Sequence, residues 1–338
     1  MNGLKGFVDF YTGFGRYAES SKSVSFTASL ASSLICLLVG FLAVLLGGCS
    51  PSNSKVVTLY AAQDREYVQP IIQEFSARTG LRVDVVYDSE AVKTTALANR
   101  LLAERNHPQC DVFWNNEELR TRQLAAKDVF RSTNGWTSFG FRSRRMVINT
   151  NLLSLAQAPA SLLELTNQMW RGKVALAFPL FGSTVTHFLA LRQAWGETKW
   201  EEWCRALIRN KPYLLDGNSV VVRQVSRGEA WIGLTDSDDI AAGQREGMPV
   251  AALPLNNDSL LLPNTIAITR NAPHAANAQR LFEFLHGPDV AGILVQAHAL
   301  ESPASPPETQ PETLRVNWPP LLAELKASTA RLEQLFLR

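Results

Sequence analysis

Short apolar runs alternate with helical stripes along most of the chain from residue 56 onward. VVTLYAA at 56–62 reads as a buried strand. Val68, Ile71, Ile72 and Phe75 then recur at helical spacing up to Gly80, a C-terminal cap. LRVDVVY at 81–87 alternates as a strand, Val92, Leu97 and Leu101 mark a second helix, and CDVFW at 110–114 is a third strand. Further on, RRMVINT at 144–150, VALAFP at 174–179, AWIGLTD at 230–236 and PNTIAITR at 263–270 read as strands. Helices are predicted from Gly182, over 220–225, and over 278–285 with Gly287 as cap. A Pro-rich stretch at 302–312 reads as a surface loop, and an amphipathic helix at about 320–336 closes the chain.

Strands separated by helices build parallel sheets with right-handed crossovers. The expectation is an α/β chain of two lobes, each a mainly parallel sheet flanked by helices, joined by crossing strands at 144–150 and 263–270. Residues 55–143 with 270–338 would form lobe one, and 144–269 lobe two with the hinge strands. Ligands in open α/β sheets bind beyond the carboxyl ends of the strands. Two such sheets facing each other put one site in the cleft between them.

The first 54 residues follow another rule. No charge lies between Lys22 and Lys55, and LICLLVGFLAVLLGG at 34–48 follows Lys5, Arg16 and Lys22, the layout of an export signal. Leu46-Gly47-Gly48-Cys49 resembles the bacterial lipoprotein cleavage box. That implies a signal peptide over 1–48, lipidation of Cys49 and a tether to residue 54. The expected product is anchored by lipid to a bacterial membrane, in the periplasm or at the cell surface; a retained anchor helix is the other reading. Cys110 opens a buried strand, and Cys204 shares a helix face with Trp200, Trp203 and Leu207, so both thiols read as small buried hydrophobes. No Cys/His pair has metal-ligand spacing.

Composition narrows the classes. With 33 Lys and Arg against 31 Asp and Glu, the net charge of +2 argues against nucleic-acid binding through bulk charge. The hydrophobic fraction of 46% is enough for a packed core.

Four segments, VTLYAAQDREYVQPIIQEFSARTGLRVDVVYDSE, CDVFWNNE, GNSVVVRQVSRGEAWIGLTDSDD and PNTIAITRNAPHAANAQRLFEFL, resemble in this order the extracellular solute-binding proteins of ABC importers. Within them the resemblance is to the ferric-iron-binding periplasmic proteins, and it covers most of residues 56–290. It implies the two-lobed type 2 periplasmic-binding fold and a monomer that is not an enzyme. It further implies capture of a small solute in the interlobe cleft and delivery to an ABC permease and its ATPase. In that family a His after the first strand, a Glu after the third and two adjacent Tyr in lobe two hold the iron. Here those positions carry Asp64, Asn116 or Glu117, and Asp238 with Asp239. The chain therefore departs from the tyrosinate pair. Asp64, Glu117, Asp238 and Asp239 are the expected metal ligands, the metal being transported cargo and not an obligatory cofactor.

The acids at the strand ends, Asp64, Asp88, Glu90, Glu117, Asp236, Asp238 and Asp239, would repel one another in one cleft unless a cation sits among them. Oxygen ligands suit hard cations such as ferric iron, calcium, magnesium or manganese. A protonated organic amine would serve as well, with Asn116 as a further contact and Trp114 as an aromatic wall. Gly182-Ser183-Thr184 and Gly217-Asn218-Ser219 each open a helix whose free N–H groups suit an anion, with Arg65 and Lys93 in support. A phosphorylated or phosphonate solute, or a metal with a synergistic anion, fits that half. His187 is expected to be solvated or capped. The rival of another class is a carboxylate-dependent hydrolase, for which the chain shows no nucleophile elbow.

Overall fold

The computed structural model describes residues 55–87, 93–132, 135–306 and 313–337. The expected signal peptide, Cys49 and tether lie outside the described residues, as do Asp88, Glu90 and most of the Pro-rich loop. Lys55–Arg338 make one compact unit.

β1 (Val56–Ala61) leads into α1 (Arg65–Thr79), where Tyr67, Val68, Ile71, Ile72 and Phe75 are buried. Burying each such side chain is worth about 1.5–3 kcal/mol. Gly80 ends the helix at φ 69°, donating its N–H to the Ser76 carbonyl. β2 (Arg82–Tyr87), α2 (Lys93–Ala103), β3 (Val112–Asn115) and α3 (Glu118–Ala125) follow, with β1 parallel to both β2 and β3. Alternation sends Val57, Leu59, Val112 and Trp114 to one side of this sheet and Tyr60 and Phe113 to the other.

The second half contains β5 (Val174–Ala177), α4 (Gly182–Trp195), α5 (Glu197–Arg209), β6 (Tyr213–Leu215), α6 (Asn218–Ser226), β7 (Ile232–Asp236), α7 (Ser237–Arg245) and β8 (Val250–Ala252). β5 is parallel to β6 and β7. Trp200, Trp203 and Cys204 of α5 are buried in its core, and Cys110 and Cys204 are both free thiols.

β4 (Trp136–Asn149) and β9 (Leu260–Ile268) connect the halves. The strand expected at 144–150 is only the second part of β4. Its first part pairs antiparallel with β9, and Arg144–Ile148 pair antiparallel with β7. β9 in turn pairs antiparallel with β3. All strands thereby join one sheet of order β2-β1-β3-β9-β4-β7-β5-β6, with β8 on β4. The run WTSFGFRSRR mixes aromatic, hydroxyl and basic residues without clean alternation, which is why the first part of β4 escapes a periodicity reading.

α8 (Ala275–Leu285) and α9 (Pro288–Gln296) return to the first half, whereas α10 (Trp318–Phe336) does not. The sequence grouped 270–338 with lobe one. Instead α10 buries Leu321, Leu325, Leu332, Leu335 and Phe336 in the core of the second half, with Phe336 edge-on to Phe188 at 5.7 Å.

Gly140 makes a bulge where the β4–β9 register shifts between Phe139 and Phe141. Its φ is 57°, and a Cβ there would lie 2.5 Å from Leu300 Cδ1 and 2.8 Å from the Ser302 carbonyl oxygen. Gly140→Ala should therefore lower the unfolding free energy by about 2–3 kcal/mol. Denaturant unfolding checks this, and an unchanged midpoint would mean that the bulge relaxes freely.

Candidate functional site

The parallel strands β1, β5, β6 and β7 end around one pocket of about 60 Å³, with Asn116 beyond β3 on its wall. That is room for roughly four waters or a small ion with its companions. Asp64, Asp216, Asp236, Asp238 and Asp239 line it together with Arg142, Phe178, Phe181, Ser183, Thr184 and Asn218. The first turns of α4, α6 and α7 all start here, so their unpaired N–H groups add positive potential to an acidic lining.

Two arginines lie one strand period apart on β4, Arg142 in the pocket lining and Arg144 behind Asp236. Arg142 Nη2 meets Asp236 Oδ2 at 3.1 Å, its Nη1 donates to the Asn116 carbonyl at 2.5 Å, and its Nε lies 3.2 Å from Asp238 Oδ1. Arg144 Nη1 donates to Asp236 Oδ1 at 2.8 Å and to Asn218 Oδ1 at 2.9 Å. Ser183 Oγ donates to Asp236 Oδ2 at 2.7 Å, and Asn218 Nδ2 donates to the same oxygen at 3.1 Å. Asp236 is fully buried, which by itself raises its carboxyl pKa. Arg142, Arg144 and the Ser183 hydroxyl outweigh that and hold it below the usual carboxylate range. Burial also lowers Arg144, and Asp236 only partly offsets it. For Arg142 the two carboxylates win over burial and raise it.

The acids do converge, and the carboxylate atoms of Asp236, Asp238 and Asp239 lie within 4.8 Å of one another. Part of the cation that such convergence demands is supplied by the protein, as Arg142 and Arg144. Sequence reading missed both; their period-2 spacing in FRSR was the available signal. It also missed Phe178 and Asp216.

Asp64, Asn116, Gly182, Ser183, Thr184, Asn218, Asp236, Asp238 and Asp239 all line the pocket. Three expected contacts stand elsewhere. Glu117 is buried as the N-cap of α3, accepting from Leu119 N at 2.6 Å and Arg120 N at 3.0 Å, and it also accepts from Thr186 Oγ1 at 3.1 Å. Trp114 is no wall of the cleft: it faces the first-half core, 6.2 Å from Phe139. Arg65 is exposed and lies over the Tyr87 ring at 5.3 Å, away from the pocket lining. His187, expected to be solvated or capped, is fully buried, and its Nε2–H donates to the Asp258 carbonyl at 2.6 Å.

The sequence profile of a family described as bacterial extracellular solute-binding protein matches residues 57–298. The major ferric iron-binding protein of Neisseria gonorrhoeae is 24% identical over 290 residues, 78% of this chain and 85% of the relative. The Fe(3+)-binding periplasmic protein of Serratia marcescens is 27% identical over 216 residues, 59% of this chain and 62% of the relative. Among solved structures, iron-bound HitA from Pseudomonas aeruginosa superposes with a TM-score of 0.72 at 18% identity, covering 83% of this chain and 99% of that one. AfuA from Actinobacillus pleuropneumoniae with bound fructose-6-phosphate gives 0.71 at 16% identity, covering 84% and 99%. These relatives are binding proteins and not enzymes, and the structural likeness places the chain in the type 2 periplasmic-binding fold.

Burial, and next the charge of Arg144, push the His187 imidazole down from 6.5 to about 3. A depressed folded value means that the unfolded chain takes up the proton first. The neutral ring thus stabilises the fold fully above about pH 6.5, and the contribution is lost as pH falls toward 3 at up to about 1.4 kcal/mol per pH unit. Asp236 adds a second loss below its usual value of 3.8. Urea midpoints measured between pH 7 and 4 should slope steeply for the wild type and less for His187→Gln; equal slopes would show that the ring does not titrate as placed.

Proposed function

This chain belongs to the family of bacterial extracellular solute-binding proteins, and on that premise we propose that it captures a hard, oxygen-seeking metal cation, ferric iron in the first instance, for hand-over to an ABC permease. The observation that carries the reading is the charge of the pocket: five aspartates line it against Arg142, with Arg144 behind Asp236. Asp236 is held by four donors; Asp64, Asp238 and Asp239 line the same pocket with Asn116 and supply the oxygen ligand type that a hard cation takes. The names of the gonococcal and Serratia relatives support iron as the cargo. No tyrosine lines the pocket among the described residues; Asp238 and Asp239 bring carboxylate charge in its place, and a co-bound anion would complete the ligand shell. Gly182, Ser183, Thr184 and Asn218 at two helix starts suit that anion. Such a cargo touches both halves and favours the conformation in which they meet. Export through residues 1–48 and a lipid on Cys49 would hold the receptor at the membrane surface where the permease lies.

A second reading has its own observation. Ser183, Thr184, Asn218 and three helix starts surround the pocket, and AfuA, of the same fold, is described with fructose-6-phosphate. A phosphorylated solute would place its phosphate there.

Calorimetric titration of the purified protein with ferric citrate and, separately, with fructose-6-phosphate distinguishes them. Ferric citrate should bind, and Asp239→Ala should weaken it by roughly tenfold or more without lowering the melting temperature. Binding of the sugar phosphate alone, indifferent to Asp239, would replace the first reading with the second.

A further inference from the structure

Helix α7 carries Asp238 and Asp239 in its first turn and Arg245 as its last residue. Arg245 reaches out of its own half. Its Nη1 donates to the Ala297 carbonyl at 3.0 Å, and its Nη2 donates to the Tyr67 hydroxyl at 3.2 Å. Ala297 caps the C-terminus of α9, where carbonyl dipoles favour a cation. Tyr67 belongs to the first turn of α1, whose N-cap is the pocket residue Asp64. The Tyr67 ring is buried, and burial followed by the negative charge of Asp238 raises its phenol, which stays a neutral hydroxyl able to accept. Two helices from opposite halves thus each present acid to the pocket at their start, and one guanidinium fastens them together. The two acceptors belong to separate helices, and the forked guanidinium reaches both where a lysine offers only a point charge.

We infer that Arg245 is a positioning residue for capture. It clips α7 to α1 and α9, so that Asp64 faces Asp238 and Asp239 at gripping distance, and it thereby sets how long a guest stays. A contact made only where the halves meet stabilises the gripping conformation over the parted one and slows release without touching the guest. The inference rests on the cleft being the capture site and is indifferent to which solute is captured.

The test compares wild type, Arg245→Ala, Arg245→Lys and Tyr67→Phe as full chains. Without ligand, hydrogen–deuterium exchange should quicken roughly three- to tenfold in Arg245→Ala at the cleft-facing segments 65–72 and 236–240. Tyr67→Phe should fall between it and the wild type, and Arg245→Lys should rescue only partly. Stopped-flow release of ferric citrate should accelerate by a similar factor with the association rate unchanged. Faster exchange confined to 243–248 and 296–298 would make Arg245 a local cap only and overturn the inference, as would an unaltered release rate. Failure of the wild type to take up ferric citrate would sink the cargo reading above and leave the exchange comparison to decide on Arg245.

Discussion

The buried Arg142–Asp236–Arg144 cluster is the constraint that the rest of the cleft answers to. Burying an isolated charge costs several kcal/mol, and breaking such a group by removing one member is more costly than never having it. Asp236 accepts from Arg142, Arg144, Ser183 and Asn218, which fills the acceptor capacity of a carboxylate. The four donors come from three parts of the frame: β4 supplies both guanidinia, α4 the hydroxyl and α6 the amide. Satisfying one carboxylate therefore fixes the crossing strand, the end of β7 and two helix starts in a single arrangement. The second-half wall of the cleft is set before any guest arrives.

The same cluster divides the acids by role. Asp236 is structural, Asp238 is partly neutralised by Arg142, and Asp64, Asp216 and Asp239 also line the pocket. A count of carboxylates along the sequence cannot separate these roles, because each depends on which base the fold brings alongside.

Much of the fold was legible locally. β1, β3 and α1 carry unambiguous apolar periods and lie where the pattern puts them, and TDSDD reads correctly as a strand running into a helix start. The pocket wall at 182–184 and 236–239 was legible because such helix starts lie beyond the carboxyl ends of strands. What escaped is nonlocal. Glu117 can cap its own helix or hold a cation; it caps, and Thr186 from the other half donates to the same carboxylate. Trp114 alternates correctly on β3, yet which side of the sheet faces the cleft is decided by neighbours 25 and more residues away, such as Phe139. Arg142 and Arg144 were not singled out, because nothing in the run around them shows that β7 will lie antiparallel beside it. The last helix was grouped by chain order, whereas the apolar surface around Phe188 decided its place.

β4 and β9 run unbroken through both halves and are hydrogen-bonded to each other along most of their length. Where this ribbon joins the halves, motion between them is taken up as twist within it. Recombination would feel the same ribbon. A chimera exchanging one half with a relative would have to splice both strands in matching register, so cargo preference in this architecture is more readily altered by point changes on the pocket rim than by shuffling whole lobes.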